Sequence, residues 1–376
     1  MIQIINHLSA YCTMMFNTNL KTLSLPETGT QFNIGKLVRG MVALSALILI
    51  NTDSHAQSCH ESGPEVHGMP PIGVMAGHTH EKGHVMFSYR SMIMSMKGLS
   101  QSGTNVPTPT VLEDYMMAPT TMNMTMHMLG AMWAPHSRLT IGVMGNYSSI
   151  KMDMTTLVHH HGEGSHDHSA TNYGSSTMEN SGFSDTRLMG LVRINKHQTH
   201  CLHLIEGIQL PTGSINSSFA GSVLPYAMQM GGGSFSLLSG INYSLIKRKY
   251  LVGVQTLSYV PLHKNFRGYK APIKVETSCW ASLKLTRFVS TSVRLQSIYT
   301  SKIVGEDIEI NSMMSPMSQP SSTQHYLMNA HIGLNVKPSM RWRMAIEAGL
   351  PLIQHNYRVA MNQQWGGVLG LQYILP

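Results

Sequence analysis

From residue 84 onward the hydrophobic residues of this chain do not run together. They alternate with polar ones, in segments close to the roughly 9 to 11 residues that a tilted membrane strand requires. Period-two alternation places one set of side chains on each face of a strand. The segments are 84–96, 119–132, 139–150, 185–195, 200–210, 234–246, 250–260, 273–286, 291–300, 325–336, 341–351 and 363–375. Their connections fall into two classes that alternate without exception, short at 133–138, 196–199, 247–249, 287–290 and 337–340, and longer between. A soluble sandwich has no cause to sort its loops this way. A bacterial barrel does, because it combines an even strand number with short periplasmic turns and long external loops. The expected fold class is all-β: a transmembrane antiparallel up-and-down β-barrel of about twelve strands over residues 84–376.

Composition agrees with that fold. The 376 residues are 42% hydrophobic but only 12% charged, about half the fraction of roughly 25% usual in soluble domains. No run in the body of the chain approaches the length of a membrane helix. The formal net charge of +8 comes from scattered Lys and Arg, with no basic stripe or nucleic-acid motif, so a nucleic-acid partner is excluded.

The one continuous apolar run is Met41–Ile50, preceded by Lys36 and Arg39 and followed by Ser54-His55-Ala56. Its length suits the h-region of a secretory signal, so export with cleavage after Ala56 is expected, and residues 1–35 read as an overlong leader or an early start codon. Lipidation at Cys59 is the weaker alternative, because the preceding residues lack the aliphatic start of a lipobox. The expected organisation is a leader and signal over 1–56, a His- and Met-containing segment over 57–83 that stays in the periplasm or plugs the barrel, and then the barrel. Cys59, Cys201 and Cys279 have no C-x-x-C spacing and are odd in number, and they read as packed or free thiols.

Polarity assigns the faces, because lipid accepts apolar side chains and a lumen accepts polar ones. Leu188, Val192 and Ile194 go outward opposite Asp185, Arg187, Met189 and Arg193. Trp365, Leu369, Leu371 and Tyr373 go outward opposite Gln364, Gly366, Gly370 and Gln372. Leu139, Ile141, Val143 and Tyr147 point to lipid, and Asn329, His331 and Asn335 point inward. Glu206 shares parity with Leu202, Leu204, Ile208 and Leu210, which aims a carboxylate at lipid unless a bulge or a strand end intervenes. In the first segment Met86, Arg90, Met92, Met94 and Met96 lie inward, opposite Phe87, Tyr89 and Ile93. In the second, the polar set Asn123, Thr125 and His127 is sent inward, so Met122, Met124, Met126 and Met128 face lipid as flexible apolar filler.

Several stretches resemble a known family. These are "PPIGVMAGHTHEKGHVMFSYRSMIMSM" from Pro70, "MMAPTTMNMTMHMLGAMWAP" from Met116, "LHLIEGIQLPTGSI" from Leu202 and "LPYAMQMGGGSFSLLSGINY" from Leu224. They are similar to the Met-rich transporter branch of the outer-membrane barrels named for the meta-pathway of phenol degradation, relatives of which export functional-amyloid subunits. The resemblance spans about residue 70 to the end and implies a transport-type barrel in the outer membrane of a Gram-negative bacterium, folded by the barrel-assembly machinery. Two features depart from that family: His78-Thr79-His80 stands where His-Met-His is typical, and the chain ends Ile374-Leu375-Pro376 rather than on an aromatic residue.

The Met and His residues suggest a metal. Met92, Met94, Met96, Met152 and Met154 are expected near the external mouth, beside His127 and the loop histidines His159, His160, His161, His166 and His168. Thioethers suit Cu(I), and imidazoles suit Cu(II), Zn or Ni, so such a mouth can collect copper in either state. A solvated low-complexity loop with loose metal affinity is the plainer reading. A second group, His60, His67, Met69, Met75, His78, His80 and His84, precedes the first strand. No cofactor is required. Arg90, Arg187, Arg193, Arg294, His331 and Arg343 should line the pore, with Lys274 and Lys284, giving a field that favours anions or polar solutes.

The expected function is a non-enzymatic, monomeric outer-membrane channel or transporter for small solutes, linked to copper or another soft metal. No G-x-S-x-G, H-E-x-x-H or phosphate-cradling loop is present. A barrel hydrolase with a rim Ser or His and a carboxylate is one alternative, and a periplasmic metal-binding β protein is another.

Overall fold

The computed structural model describes residues 69–158, 172–195 and 199–375. Its wall is a closed barrel of twelve antiparallel strands. They are β1 Val85–Gln101, β2 Met117–His136, β3 Leu139–Val158, β4 in two pieces Asn172–Phe183 and Thr186–Arg193, β5 His200–Leu210 and β6 Ser236–Ile246. The remainder are β7 Tyr250–Pro261, β8 Lys274–Lys284, β9 Val289–Thr300, β10 His325–Val336, β11 Trp342–Asn356 and β12 Ala360–Leu375. Each strand pairs with the next, and β1 closes the ring on β12 from Val85↔Leu375 to Ser100↔Ala360. Closure of the ring leaves no open edge around the barrel's waist, which is what lets a sheet cross lipid.

The sorted connections are there, with one exception. The turns at 137–138, 194–199, 247–249, 285–288 and 337–341 are short, and the loops at 102–116, 211–235, 262–273 and 301–324 are long. The connection at 357–359 belongs to the long class by position yet is a tight turn, because β11 and β12 both run past the lengths expected from the sequence. The loop side also carries a short helix, α1 Thr108–Asp114.

The outer face is a band of Phe87, Leu129, Ile141, Val293, Ile332, Ile346, Leu350 and Leu369, all exposed in the isolated chain. Trp133 and Trp342 stand at its turn-side margin, as aromatic girdle residues do. Glu206 keeps outward parity with no bulge, and Ser239 on β6 donates a hydrogen bond to it at 3.0 Å. The carboxylate is thus held by a neighbouring strand rather than turned inward.

Two expectations are corrected. Cys201 is disulfide-bonded, while Cys279 stands outside any disulfide on the outward face of β8. The second correction concerns β2. Met86, Arg90, Met92, Met94 and Met96 of β1 stand directly opposite Met132, Met128, Met126, Met124 and Met122. Directly opposed residues share a face, so the β2 methionines point inward, and Asn123, Thr125 and His127 point outward. Met122 and Met128 are accordingly buried, whereas Leu129 is 68% exposed.

Candidate functional site

The lumen is the candidate site, and its wall has two chemically different sides. On the side of β8 to β12 the inward positions carry a linked set of charged and amide side chains among serines and small residues. Glu347 sits at the centre: Arg294 Nε donates to its Oε1 at 2.8 Å, and Arg294 Nη2 reaches the same oxygen. His331 Nδ1 lies 3.3 Å from that oxygen, and its Nε2 meets Gln296 Oε1 at 3.1 Å. Gln296 in turn donates to Glu276 at 2.7 Å. Arg343 donates to Asn335 at 2.6 Å and to Gln372 at 2.9 Å. Glycine makes room for this chemistry on the wall: a Cβ at Gly349 would collide with the His331 ring.

Residues 69–80 run through the interior and are hydrogen-bonded to both sides of it. Arg343 Nη2 donates to Pro70 O, and Gly73 N donates to Glu347 Oε2 at 3.2 Å. Gln255 on β7 donates to Met75 O at 2.8 Å, and His203 on β5 donates to Ala76 O at 2.9 Å. Arg193 on β4 holds Thr79 Oγ1 at 2.6 Å and His80 O at 3.3 Å, and His80 N donates to Thr140 on β3 at 3.1 Å. Ile72 lies so close to Gly370 on β12 that a Cβ there would overlap it. Ala76 takes a left-handed φ of 53°, turning the segment between its partners on β7 and β5.

On the side of β1 to β4 the loop-side part of the lining is largely thioether, and Arg90, Arg187 and Arg193 stand nearer the turns. Met96, Met122, Met152 and Met178 are direct partners across four adjacent strands. Below them Met94 faces Met124, Met92 faces Met126, and Met86 faces Met132. Met228 and Met230 of the loop 211–235 pack into the same loop-side cluster, with Met154, Met361, Met117, Met314 and Met317. A cavity of about 230 Å³ opens beside it, lined among others by Met124, Met126, Asn146, Ser148, Arg187 and Gln209. Arg187 donates to Gln209 at 3.2 Å and lies over the Tyr259 ring.

The residues singled out from sequence are distributed as follows. Arg90, Arg187, Arg193, Arg294, His331 and Arg343 all sit on inward positions. Met92, Met94, Met96, Met152 and Met154 are inward too, and Met96, Met152 and Met154 join the loop-side cluster. His127 does not join them: it lies on the outer face, with Nδ1 2.8 Å from Tyr89 Oη and the two rings stacked. His78 and His80 are buried with their rings 4.9 Å apart, near Arg193 and Thr140 toward the turn side. His84 lies at the entry to β1, its carbonyl accepting from Ala134 N at 3.1 Å. His159, His160, His161, His166 and His168 lie outside the described residues. Among the described residues no three His, Cys, Asp or Glu side chains converge as a metal site. The β2 methionines are what sequence reasoning misplaced, and the missed signal was Trp133, an interface residue whose outward parity leaves every β2 methionine from 122 to 132 inside.

The external loops are locked to each other above the lumen. Arg267 pairs with Asp307 at 2.6 Å and with Glu309 at 2.8 Å, and Asp307 N donates to Tyr226 Oη at 2.9 Å. Tyr226, Tyr269, Ile303 and Ile310 form a small core there, and burial pushes the Tyr269 hydroxyl up to about 12.

A closed twelve-stranded barrel with an apolar outer band and a polar interior is an outer-membrane protein, and its place is the outer membrane of a Gram-negative cell. The fold is similar to that of an outer-membrane channel from Pseudomonas putida F1, with a TM-score of 0.55 and 11% identity over 81% of this chain and 100% of that one. A weaker likeness links it to the transport unit of the autotransporter AIDA-I from Escherichia coli, with a TM-score of 0.45 and 11% identity over 80% of this chain and 93% of that one. No family model and no curated protein matches the sequence. The likenesses describe the fold.

Proposed function

We propose that this protein is a non-enzymatic outer-membrane channel for small solutes, inserted by the barrel-assembly machinery, whose residues 69–80 act as a plug across the path. One observation carries this reading. The interior is not a packed hydrocarbon core: it presents arginines, amides and hydroxyls and holds a peptide segment by backbone hydrogen bonds. Those bonds are exchangeable with water or solute, as a plug that yields requires. The excess of Arg over carboxylate on inward positions favours anions or neutral polar solutes. The finer part of the proposal is a soft-metal link. The inward methionines, with the histidines of 78–84, supply thioether and imidazole donors along one route, copper being the metal that suits both.

The test is conductance of the mature protein in a planar bilayer, with and without residues 69–80. Small or rare steps in the full chain, and larger, stable ones after deletion, are expected. A deletion variant that folds as a heat-modifiable barrel yet stays non-conducting would refute the channel.

A further inference from the structure

The wall-strand methionines are partitioned by side. On β1 to β4 and on β12 they point inward, and only Met328 and Met344 among the described wall-strand methionines point to lipid. The lipid face is instead built from Leu, Ile, Val and aromatics. If methionine served this chain as general apolar filler, the lipid face, where apolar side chains are needed most, would hold its share. The preference for the interior calls for a property of methionine that leucine lacks, and the thioether sulfur is that property.

The sulfurs are concentrated in one place. Met96, Met122, Met152 and Met178 form a continuous rung over four strands, with Met122, Met152 and Met178 at 2%, 0% and 5% exposure. Neighbouring strands lie roughly 4.8 Å apart and opposed Cβ atoms about 4.5 to 5.5 Å apart. Each thioether swings on three rotatable bonds, so two or three sulfurs of the rung can close on one ion without backbone movement. Met228 and Met230 pack on the rung from the loop above, and the cavity at Met124 and Met126 gives access from its side.

We propose that this rung binds one monovalent soft cation, Cu(I) or its analogue Ag(I), and that it is the point where the soft-metal link of the proposed channel resides, an inference that rests on that reading. The donor set selects the ion. Among the described residues no imidazole, thiolate or carboxylate joins the rung: the nearby Asp153 and Lys151 have outward parity, and Asp153 is taken up by Thr121 and Thr177 at 2.7 Å each. Neutral thioethers suit a soft ion and offer little to Zn(II), Ni(II) or Cu(II). A single charge is also far cheaper than a double one to hold among buried neutral donors.

The test titrates Ag(I) as nitrate, and Cu(I) from a competing chelator, into the full mature protein folded in detergent. Zn(II) is present to occupy imidazoles, and X-ray absorption reads the ligand shell. One equivalent with a sulfur-only shell is expected. M122L/M152L should weaken it at least tenfold, while the outward pair M328L/M344L should change nothing. Should M122L/M152L fail to give a heat-modifiable barrel, M96L/M178L at the ends of the rung serves the same purpose. Equal affinity in the rung variant, a nitrogen or oxygen shell, or no binding by the wild-type protein overturns the proposal. Conductance separates the two readings: silver bound through the rung by a barrel that never conducts refutes the channel and leaves the site, and a conducting barrel blind to silver does the reverse.

Discussion

The two sides of the lumen solve the same problem with opposite materials. From β8 to β12 the lining is directional: Arg294, Glu347, His331 and Gln296 are linked to one another, and Glu347 and Arg343 bond the backbone of residues 69–80. From β1 to β4, beyond Arg193 and Thr140, it is compliant, because methionine makes no demand on direction and fills irregular space. The difference teaches how a segment can be both held and releasable. Its register is set by hydrogen bonds from both sides, Arg193 and Thr140 among them, and the methionines beside it can repack when it moves.

The sharpest way to break that contrast is to remove the single carboxylate that organises the directional side. Glu347→Ala leaves Arg294 buried without its partner, and loss of one member of such a pair typically costs about 3–5 kcal/mol. The urea midpoint of the heat-modifiable band should fall accordingly, and conductance should rise as Gly73 loses its acceptor. Next in size is Gly73→Val. A Cβ at Gly73 would come within 2.7 Å of Glu347 Oε1 and closer still to Arg294, and such crowding costs roughly 1–3 kcal/mol. Cysteine labelling at position 75 should then show a displaced segment.

On the compliant side the same kind of change should be mild. Met128→Leu conserves volume and is expected to cost under about 1.5 kcal/mol in the same urea assay, although Met128 is as buried as Arg294. A larger loss there would mean that the thioether side is as finely specified as the charged one. The smallest effect concerns the loops. An unfolded tyrosine ionises near 10, and Tyr269 ionises at about 12 because it is buried. The unfolded state therefore binds fewer protons between those values, and stability falls as pH rises through that window, having been fully present below it. Limited proteolysis should show the loop core loosening above about pH 10 in the wild-type chain, and Tyr269→Phe should blunt that step.

Much of this architecture was legible in the sequence because lipid enforces it. Twelve alternating segments, short turns on one side, and the faces of β1, β3, β4 and β10 follow from the period-two rule alone. The rule failed on β2 because Met117–His136 is about twice as long as the membrane requires. Part of its outward face therefore lies beyond the hydrocarbon, where Asn123 and Thr125 are at home. His127 masks its polarity against Tyr89. The loop 102–116 hides the register that would have tied β2 to the inward methionines of β1. Partners distant in sequence were illegible for a simpler reason: neither the bonds from residues 69–80 to β3, β4, β5, β7 and β11 nor the disulfide at Cys201 leaves a local periodicity to read.

The split in β4 sets how the barrel ages. Its loop-side piece, Asn172–Phe183, pairs with β3, while β5 ends at Leu210, opposite Thr186. Amides on the far edge of that piece gain no ladder bond from a second wall strand among the described residues, so hydrogen exchange there should run through local fraying rather than global opening. The membrane-spanning part, zipped on both sides from β1 round to β12, should exchange only when the ring itself breaks. One continuous sheet thereby has two lifetimes, a short one at its rim and a long one at its waist, and the methionine rung enters the rim through Met178.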